Sequence, residues 1–252
     1  MHRYGLIGYP LSHSFSQKYF TEKFEKEGIP DSRYDLFELP EITDFPQLIA
    51  STPDLVGLNV TIPHKQVVIP FLDELDPASA GRVGAVNTIR ILPDGRKIGY
   101  NTDYYGFRLS LELWLKSLDI LPVSLQALVL GNGGAAKAVI AALGDLQIRY
   151  RLISRQQTAE ALSYESISPE ILDEYRLIIN TSPVGTYPNV EASPAIPYGM
   201  LNSGHLLYDL VYNPAETRFL QQGREHGAAT HNGLPMLYLQ AEKAWEIWNQ
   251  QA

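Results

Sequence analysis

Cysteine is absent from this 252-residue chain. That excludes disulfides, Cys-ligated zinc, iron–sulfur clusters and a thiol nucleophile. Long apolar runs are missing too. No stretch approaches the roughly 18 apolar residues that span a bilayer, and the first residues lack the apolar run of a signal peptide. The expectation is a soluble, cytoplasmic protein with no membrane partner. Positive charge is in deficit: 20 Lys plus Arg against 28 acids leave a net charge of −8. A sequence-independent nucleic-acid binder needs a basic face to displace counterions, so no nucleic-acid partner is expected. Internal repeats and low-complexity tracts are lacking as well.

What is present is a globular composition, 45 % apolar and 19 % charged, with length for one to two domains. Short apolar runs alternate with amphipathic stretches, the pattern of βαβ units. Strands are predicted at 4–7, 34–38 and 55–62, with a helix at 16–27 stopped by Gly28 and Pro30. Strands at 85–92 and 97–101 flank the hairpin-type turn Pro93-Asp94-Gly95. A helix follows at 103–118. The continuous apolar run 125–130 reads as a strand buried on both faces. A helix at 135–143, strands at 150–153, 177–179 and 206–210, and a last helix at 234–249 complete the series. Domain borders are expected near Asp103 and Asn232, with the last helix returning to the first domain. The fold class is therefore α/β in two domains, 1–103 plus 233–252 and 104–232.

The sharpest local signal is Leu130-Gly131-Asn132-Gly133-Gly134-Ala135-Ala136, set between a predicted buried strand and a predicted helix. Gly131 permits a tight turn, Gly133 lets the backbone approach a pyrophosphate, and Gly134 and Ala136 are small enough for close helix–strand packing. Phosphates would lie on the helix N-terminus, where free N–H groups and the dipole attract anions. The plain alternative is a structural turn. The next strand end bears on which dinucleotide binds. NAD enzymes usually carry an acid there for the ribose 2′-hydroxyl. This chain has Ser154-Arg155-Gln156-Gln157, with no acid between Asp145 and Glu160. Arg155 suits a 2′-phosphate. One or two such bonds at roughly 1.5–3 kcal/mol each would favour NADP by about 10- to 10⁴-fold. The alternative is a solvated surface arginine.

Four further segments carry polar groups where a pure core would not. In residues 8–16, Ser14 and Ser16 offer two hydroxyls at a strand-to-helix turn, Ser16 being also a plausible N-cap. In residues 57–65, alternation puts Asn59 and Thr61 on one strand face and Val60 and Ile62 on the other, with Lys65 just beyond. Asn87 is an amide inside an apolar run, and Asn101-Thr102-Asp103 ends the next strand. All fall near strand ends, where open α/β sheets bind ligands. An ammonium and a carboxylate converging with hydroxyls and amides suit an anionic polyhydroxylated small molecule. Lys65 with Asp103 offers an acid/base pair for interconverting an alcohol and a ketone. The bland alternative is a surface lysine and a helix N-cap. The histidines, among them His13, His64 and His231, match no metal-ligand spacing, so no metal is expected.

These motifs, in this order, resemble the shikimate dehydrogenase family. Asn59, Thr61, Pro63 and Lys65 match its Asn-x-Thr-x-Pro-x-Lys motif, Gly84 to Thr88 its Gly-Ala-x-Asn-Thr, and Asn101 to Asp103 its Asn-Thr-Asp. Asn180-Thr181-Ser182, residues 209–214, Asn232-Gly233, Met236-Leu237 and Gln240-Ala241 match further downstream. Departures are Gln17, Tyr19-Phe20, Ser154 and Gly185-Thr186.

The resemblance implies a substrate domain with a mostly parallel sheet, a Rossmann-like NADP-binding domain, and a C-terminal helix returning to the first. It implies reversible NADPH-dependent reduction of 3-dehydroshikimate to shikimate, within chorismate and aromatic amino acid biosynthesis. Ser14, Ser16, Asn59, Thr61, Asn87, Tyr212 and Gln240 would hold the substrate, with Lys65 and Asp103 flanking the reacting oxygen. Gly131, Asn132, Gly133, Gly134, Ala135, Ser154, Arg155, Thr181, Leu210, Gly233 and Met236 would contact the cofactor. A monomer or homodimer is expected. Rival readings are a quinate or dual quinate/shikimate dehydrogenase, and a non-catalytic metabolite-sensing module on the same fold.

Overall fold

Residues 2–11 and 14–250 are described by a computed structural model. They fall into two units, Met1–Thr102 with Ala241–Ala252 and Asp103–Gln240. Ser12 and His13 of the first polar segment lie outside the described residues.

The first unit runs β1 (His2–Gly8), α1 (Phe15–Lys26), β2 (Ser32–Glu38), α2 (Phe45–Ser51), β3 (Leu55–Val60), β4 (Glu74–Leu75), α3 (Ala80–Val83), β5 (Thr88–Ile91) and β6 (Lys97–Tyr100). Its sheet has the order β2-β1-β3-β5-β6-β4. β1 is parallel to β2 and β3, and β4 to β6; β5 runs antiparallel to both β3 and β6. The predicted turn at Pro93-Asp94-Gly95 makes the β5–β6 hairpin, with Gly95 at φ +87°.

Period-two alternation sorts β1 to two cores. Tyr4 and Leu6 join Phe20 and Phe24 of α1 and the C-terminal residues Ala241, Ala244, Ile247 and Trp248. Ile7 faces the opposite core with Leu58, Val60, Val86 and Ile89. The aromatic side is dense: Tyr4 and Trp248 centroids lie 5.0 Å apart, and Phe20 stacks on Tyr34 at 4.9 Å. Trp248 donates its indole N–H to the Ile89 carbonyl at 3.0 Å. Gly57 makes room for it, since a Cβ there would come within 2.4 Å of the ring.

The strands predicted at 55–62 and 85–92 are both shorter than expected. β3 stops at Val60 because residues 62–68 coil into turns, so Thr61 and Ile62 lie past the ladder and Ile62 is exposed. The run 85–92 is extended only from Thr88.

The second unit holds α4 (Thr102–Ser117, from its second residue), β7 (Gln126–Leu130), α5 (Gly134–Asp145), β8 (Arg149–Ser154), β9 (Ala161–Ser163), α6 (Pro169–Glu174), β10 (Leu177–Asn180), β11 (Leu206–Asp209), α7 (Arg218–Glu225), β12 (Ala229–His231) and the first half of α8 (Leu234–Trp248). Its sheet is parallel throughout, in the order β12-β11-β10-β7-β8-β9. Residues 127–130 are fully buried, as a central parallel strand requires. Leu128, Leu130, Ile178 and Leu207 meet Phe219 and Leu220 of α7 on one side. α4 uses helical spacing to set Phe107 and Trp114 against Tyr208 and His231. Gly106 admits α8, because a Cβ there would lie 2.6 Å from the Met236 carbonyl oxygen.

No helix of the described residues is long and apolar enough to cross a membrane. Gly57→Ala should overpack the first unit's aromatic core and cost about 1–3 kcal/mol. Urea denaturation followed by tryptophan fluorescence measures it, and an unchanged midpoint would mean the indole has room to retreat.

Candidate functional site

The second unit's chain order reverses at one place. From β7 it runs outward through β8 and β9, then returns to β10 on the other side of β7. Ligands in open α/β sheets bind where neighbouring strands diverge in this way. At that point a cavity of about 760 Å³ opens, lined among others by Gly131, Asn132, Gly133, Ser154, Arg155 and Thr181.

Gly131 stands at φ +110°, a conformation reserved in practice for glycine, and a Cβ would meet Thr181 Oγ1 at 2.9 Å. Thr181 donates its hydroxyl to the Leu130 carbonyl at 2.8 Å, tying the ends of β7 and β10 together. Gly133 caps α5 with extended backbone and no side-chain bond to the helix N–H groups. A Cβ at Gly133 or Gly134 would touch nothing within 4 Å. The packing role anticipated for Gly134 is therefore corrected: it faces open space, and Ala136 alone is buried against the strand. Ser154 turns its hydroxyl onto the Gln156 carbonyl, leaving Arg155 exposed at the rim.

Below the cavity lies a buried carboxylate that sequence reading did not single out. Asp209 Oδ1 accepts from Asn180 Nδ2 at 2.9 Å and from the Val211 N–H at 3.0 Å; Oδ2 accepts from Thr217 at 2.6 Å. Asn180 Oδ1 in turn accepts from Ser182 through both backbone and hydroxyl. The carboxylate thus holds the cavity wall at Ser182–Val184. Burial pushes its pKa up to about 6, against the pull of the Thr217, Val211 and Asn180 bonds. Gly233 leaves no room for a side chain, since a Cβ there would lie 2.1 Å from the Leu210 carbonyl oxygen. Met236 and Gln240 are buried on α8, Gln240 donating to the Leu237 carbonyl at 3.0 Å; Tyr212 is more exposed.

In the first unit the polar candidates gather at the ends of β3 and β5. Asn59 Oδ1 accepts from the Tyr34 hydroxyl at 2.7 Å, while Nδ2 donates to the Asn87 carbonyl and to Thr88 Oγ1. Asn87 Oδ1 accepts the Thr102 N–H at 2.6 Å, and Asn87 Nδ2 reaches Thr102 Oγ1 at 3.0 Å. Asn87 thereby caps the start of α4, one residue before Asp103. Ser14, not Ser16, is the N-cap of α1, accepting from Gln17 N at 3.2 Å; Ser16 sits in the helix's first turn. Thr61 stays tied to β1 through its N–H on the Ile7 carbonyl. Lys65 is half-buried, its carbonyl accepting from Val86 N at 2.7 Å. His64 beside it is buried and bonded through Nε2 to the Leu39 carbonyl at 2.6 Å, a packing role. Asp103 is half-buried in the first turn of α4, where the helix dipole favours a carboxylate.

A parallel sheet of this order with a glycine turn at its reversal point belongs to the Rossmann-like class of nucleotide-binding folds, here joined to a second α/β unit. A family model for the shikimate dehydrogenase substrate binding domain matches residues 6–89. The shikimate dehydrogenase (NADP(+)) of Clostridium beijerinckii is 42 % identical, covering 99 % of this chain and 93 % of that protein. Among solved structures, a shikimate 5-dehydrogenase from Listeria monocytogenes in complex with shikimate and NAD superposes with a TM-score of 0.87 at 28 % identity, covering 100 % and 92 % of the two chains. One from Thermus thermophilus, with NADP(H) and shikimate, gives 0.83 at 32 % identity over 99 % and 94 %. The chain belongs to the shikimate dehydrogenase family.

The Asp209 carboxyl binds its proton more tightly folded than unfolded, so its contribution to stability falls as pH rises from about 4 to 6 and is level above. Asp209→Asn keeps the acceptor for Asn180 and Val211 and should remove that fall, about 3 kcal/mol across the window. Melting temperatures of both proteins from acid to neutral pH test it; parallel curves would contradict it.

Proposed function

We propose that the chain catalyses the reversible NADP-dependent reduction of 3-dehydroshikimate to shikimate. The observation that carries this reading is likeness over nearly the whole chain, 35–42 % identity, to proteins named shikimate dehydrogenase (NADP(+)). A cytoplasmic setting and a small-molecule substrate go with it.

The residues at the reversal point suit a dinucleotide. Gly133 has ordinary backbone angles and no neighbour that a Cβ would strike, so nothing in the chain itself demands glycine there. Close approach of a pyrophosphate would. Uncapped N–H groups at the start of α5 favour an anion, and Gly131, Asn132, Gly134, Ala135 and Thr181 complete the cradle. Arg155 would take the 2′-phosphate, with Ser154 beside it and Leu210, Gly233 and Met236 toward the nicotinamide.

When bound, the cofactor supplies or accepts the hydride. The proton is the protein's task. In the reducing direction the Lys65 ammonium gives a proton to the oxygen formed from the ketone, and the resulting amine takes it back in oxidation. Asp103 would accept a hydrogen bond from the same hydroxyl. Ser14 and Ser16 would hold the carboxylate, and Asn59, Thr61, Asn87, Tyr212 and Gln240 the ring hydroxyls.

An absorbance assay of the reduced nicotinamide, with shikimate or quinate and each cofactor in turn, tests the reading. Shikimate with NADP should turn over fastest; faster turnover of quinate with NAD would mean a quinate dehydrogenase, and no turnover a binding module. Lys65→Ala should lower kcat by about 10²–10⁴-fold with a smaller effect on KM; a loss under about tenfold would remove Lys65 as the acid. Arg155→Ala should raise the NADP KM by about tenfold or more while sparing NAD. Retained NADP preference would return Arg155 to the solvated surface.

A further inference from the structure

The acid that NAD enzymes carry at the end of the strand after the glycine turn is absent from residues 154–157. The fold supplies one from the neighbouring strand. β9 runs parallel to β8, with Ser163 opposite Ser154, and these are the last residues of the two strands. Residues 155–160 alone join them, where parallel strands usually need a dozen or more. No crossover helix therefore follows Arg155. Residues 155 and 164 leave the sheet side by side, one strand spacing of about 4.8 Å apart. Tyr164 and Glu165 accordingly line the same cavity as Ser154, Arg155 and the glycine turn. Tyr164 packs against the second unit's core and Ile167 is buried in it, which fixes the short helical turn at 164–166. Glu165 is left exposed at the rim. Its own N–H and the Ser163 hydroxyl hold its carboxyl below the usual range, so it is charged at neutral pH.

We propose that Glu165 is a specificity-determining residue, which opposes the 2′-phosphate and so narrows the preference for NADP over NAD that Arg155 creates. The inference rests on the function proposed above. Arg155 and Glu165 line one cavity with opposite charges. A phosphate monoester brings about −1.5 to −2 charges to that rim at neutral pH, and a ribose hydroxyl brings none. Repulsion from the carboxylate therefore falls on NADP alone. The hydroxyl of NAD can instead donate to a carboxylate. A merely solvated surface acid would treat the two cofactors alike.

Glu165→Gln removes the charge and keeps the shape of an exposed side chain. NADPH and NADH are titrated into the native chain and the variant, with affinity read from the fluorescence of the bound reduced nicotinamide. Steady-state kinetics with shikimate give the KM of NADP and of NAD. The expected result in about 10 mM salt is an NADPH Kd and an NADP KM lowered about threefold or more, with no gain for NADH or NAD. The gain should fade in about 1 M salt, where the screening length is roughly 3 Å. Unchanged NADPH affinity would overturn the proposal. So would an equal gain for NADH, or the same gain from Glu160→Gln, an exposed acid outside the cavity lining; either marks net charge rather than position. If the native chain binds neither NADPH nor NADH, the proposed function fails and takes this inference with it. A native chain that binds NADPH and turns over shikimate beside an indifferent Glu165→Gln sinks the inference alone.

Discussion

A polar side chain buried at the end of a strand must find its partner within the protein, because water no longer serves it. In the first unit Asn59, Asn87, Thr88 and Thr102 satisfy one another and Tyr34. In the second, Asp209 gathers Asn180, Thr217 and the Val211 N–H. Each network fixes loops that hydrophobic burial alone would leave free to slide. The first pins the start of α4; the second pins the wall of the cavity at the reversal of the sheet.

The two networks differ in what they cost. The amides and hydroxyls of the first are neutral and closed upon one another. The second has a carboxylate at its centre, and desolvation raises its pKa toward about 6 despite three donors. Burying a charge is tolerable there because three loop segments depend on it at once: residues 180–184, 209–211 and 217–220. Glycine plays a complementary part. Gly57, Gly106 and Gly233 are small because a ring or a backbone fills the place of a Cβ. Gly133 and Gly134 face open space, and no neighbour among the described residues demands their smallness.

Much of the architecture was legible from residues alone. The buried run at 127–130, the Gly28 stop of α1 and the Pro93-Asp94-Gly95 hairpin depend on local chemistry: unbroken apolarity, positive φ and turn geometry. The short elements were not legible. α2, α6, α7, β9 and β12 span three to eight residues, too few for periodicity to separate helix from strand. The early end of β3 was missed for a related reason: alternation continues through Thr61 and Ile62 in the sequence, while the backbone has already turned.

Candidate residues fared by the same rule. Gly131 was readable because a strand, a turn and a helix follow one another in the chain. Its neighbour Gly134 was read as a packing residue, and only coordinates reveal that nothing lies beside it. Tyr34 begins a predicted strand, and its hydroxyl finds Asn59 only because β2 and β3 both flank β1. The sequence by itself determined family, α/β class and the residue types available for proton and phosphate chemistry, because these depend on composition and local order. Tertiary structure decided that Ser14 caps α1, that Asn87 caps α4 and that Asp209 braces the cavity, because hydrogen bonds depend on distances between residues far apart in the chain.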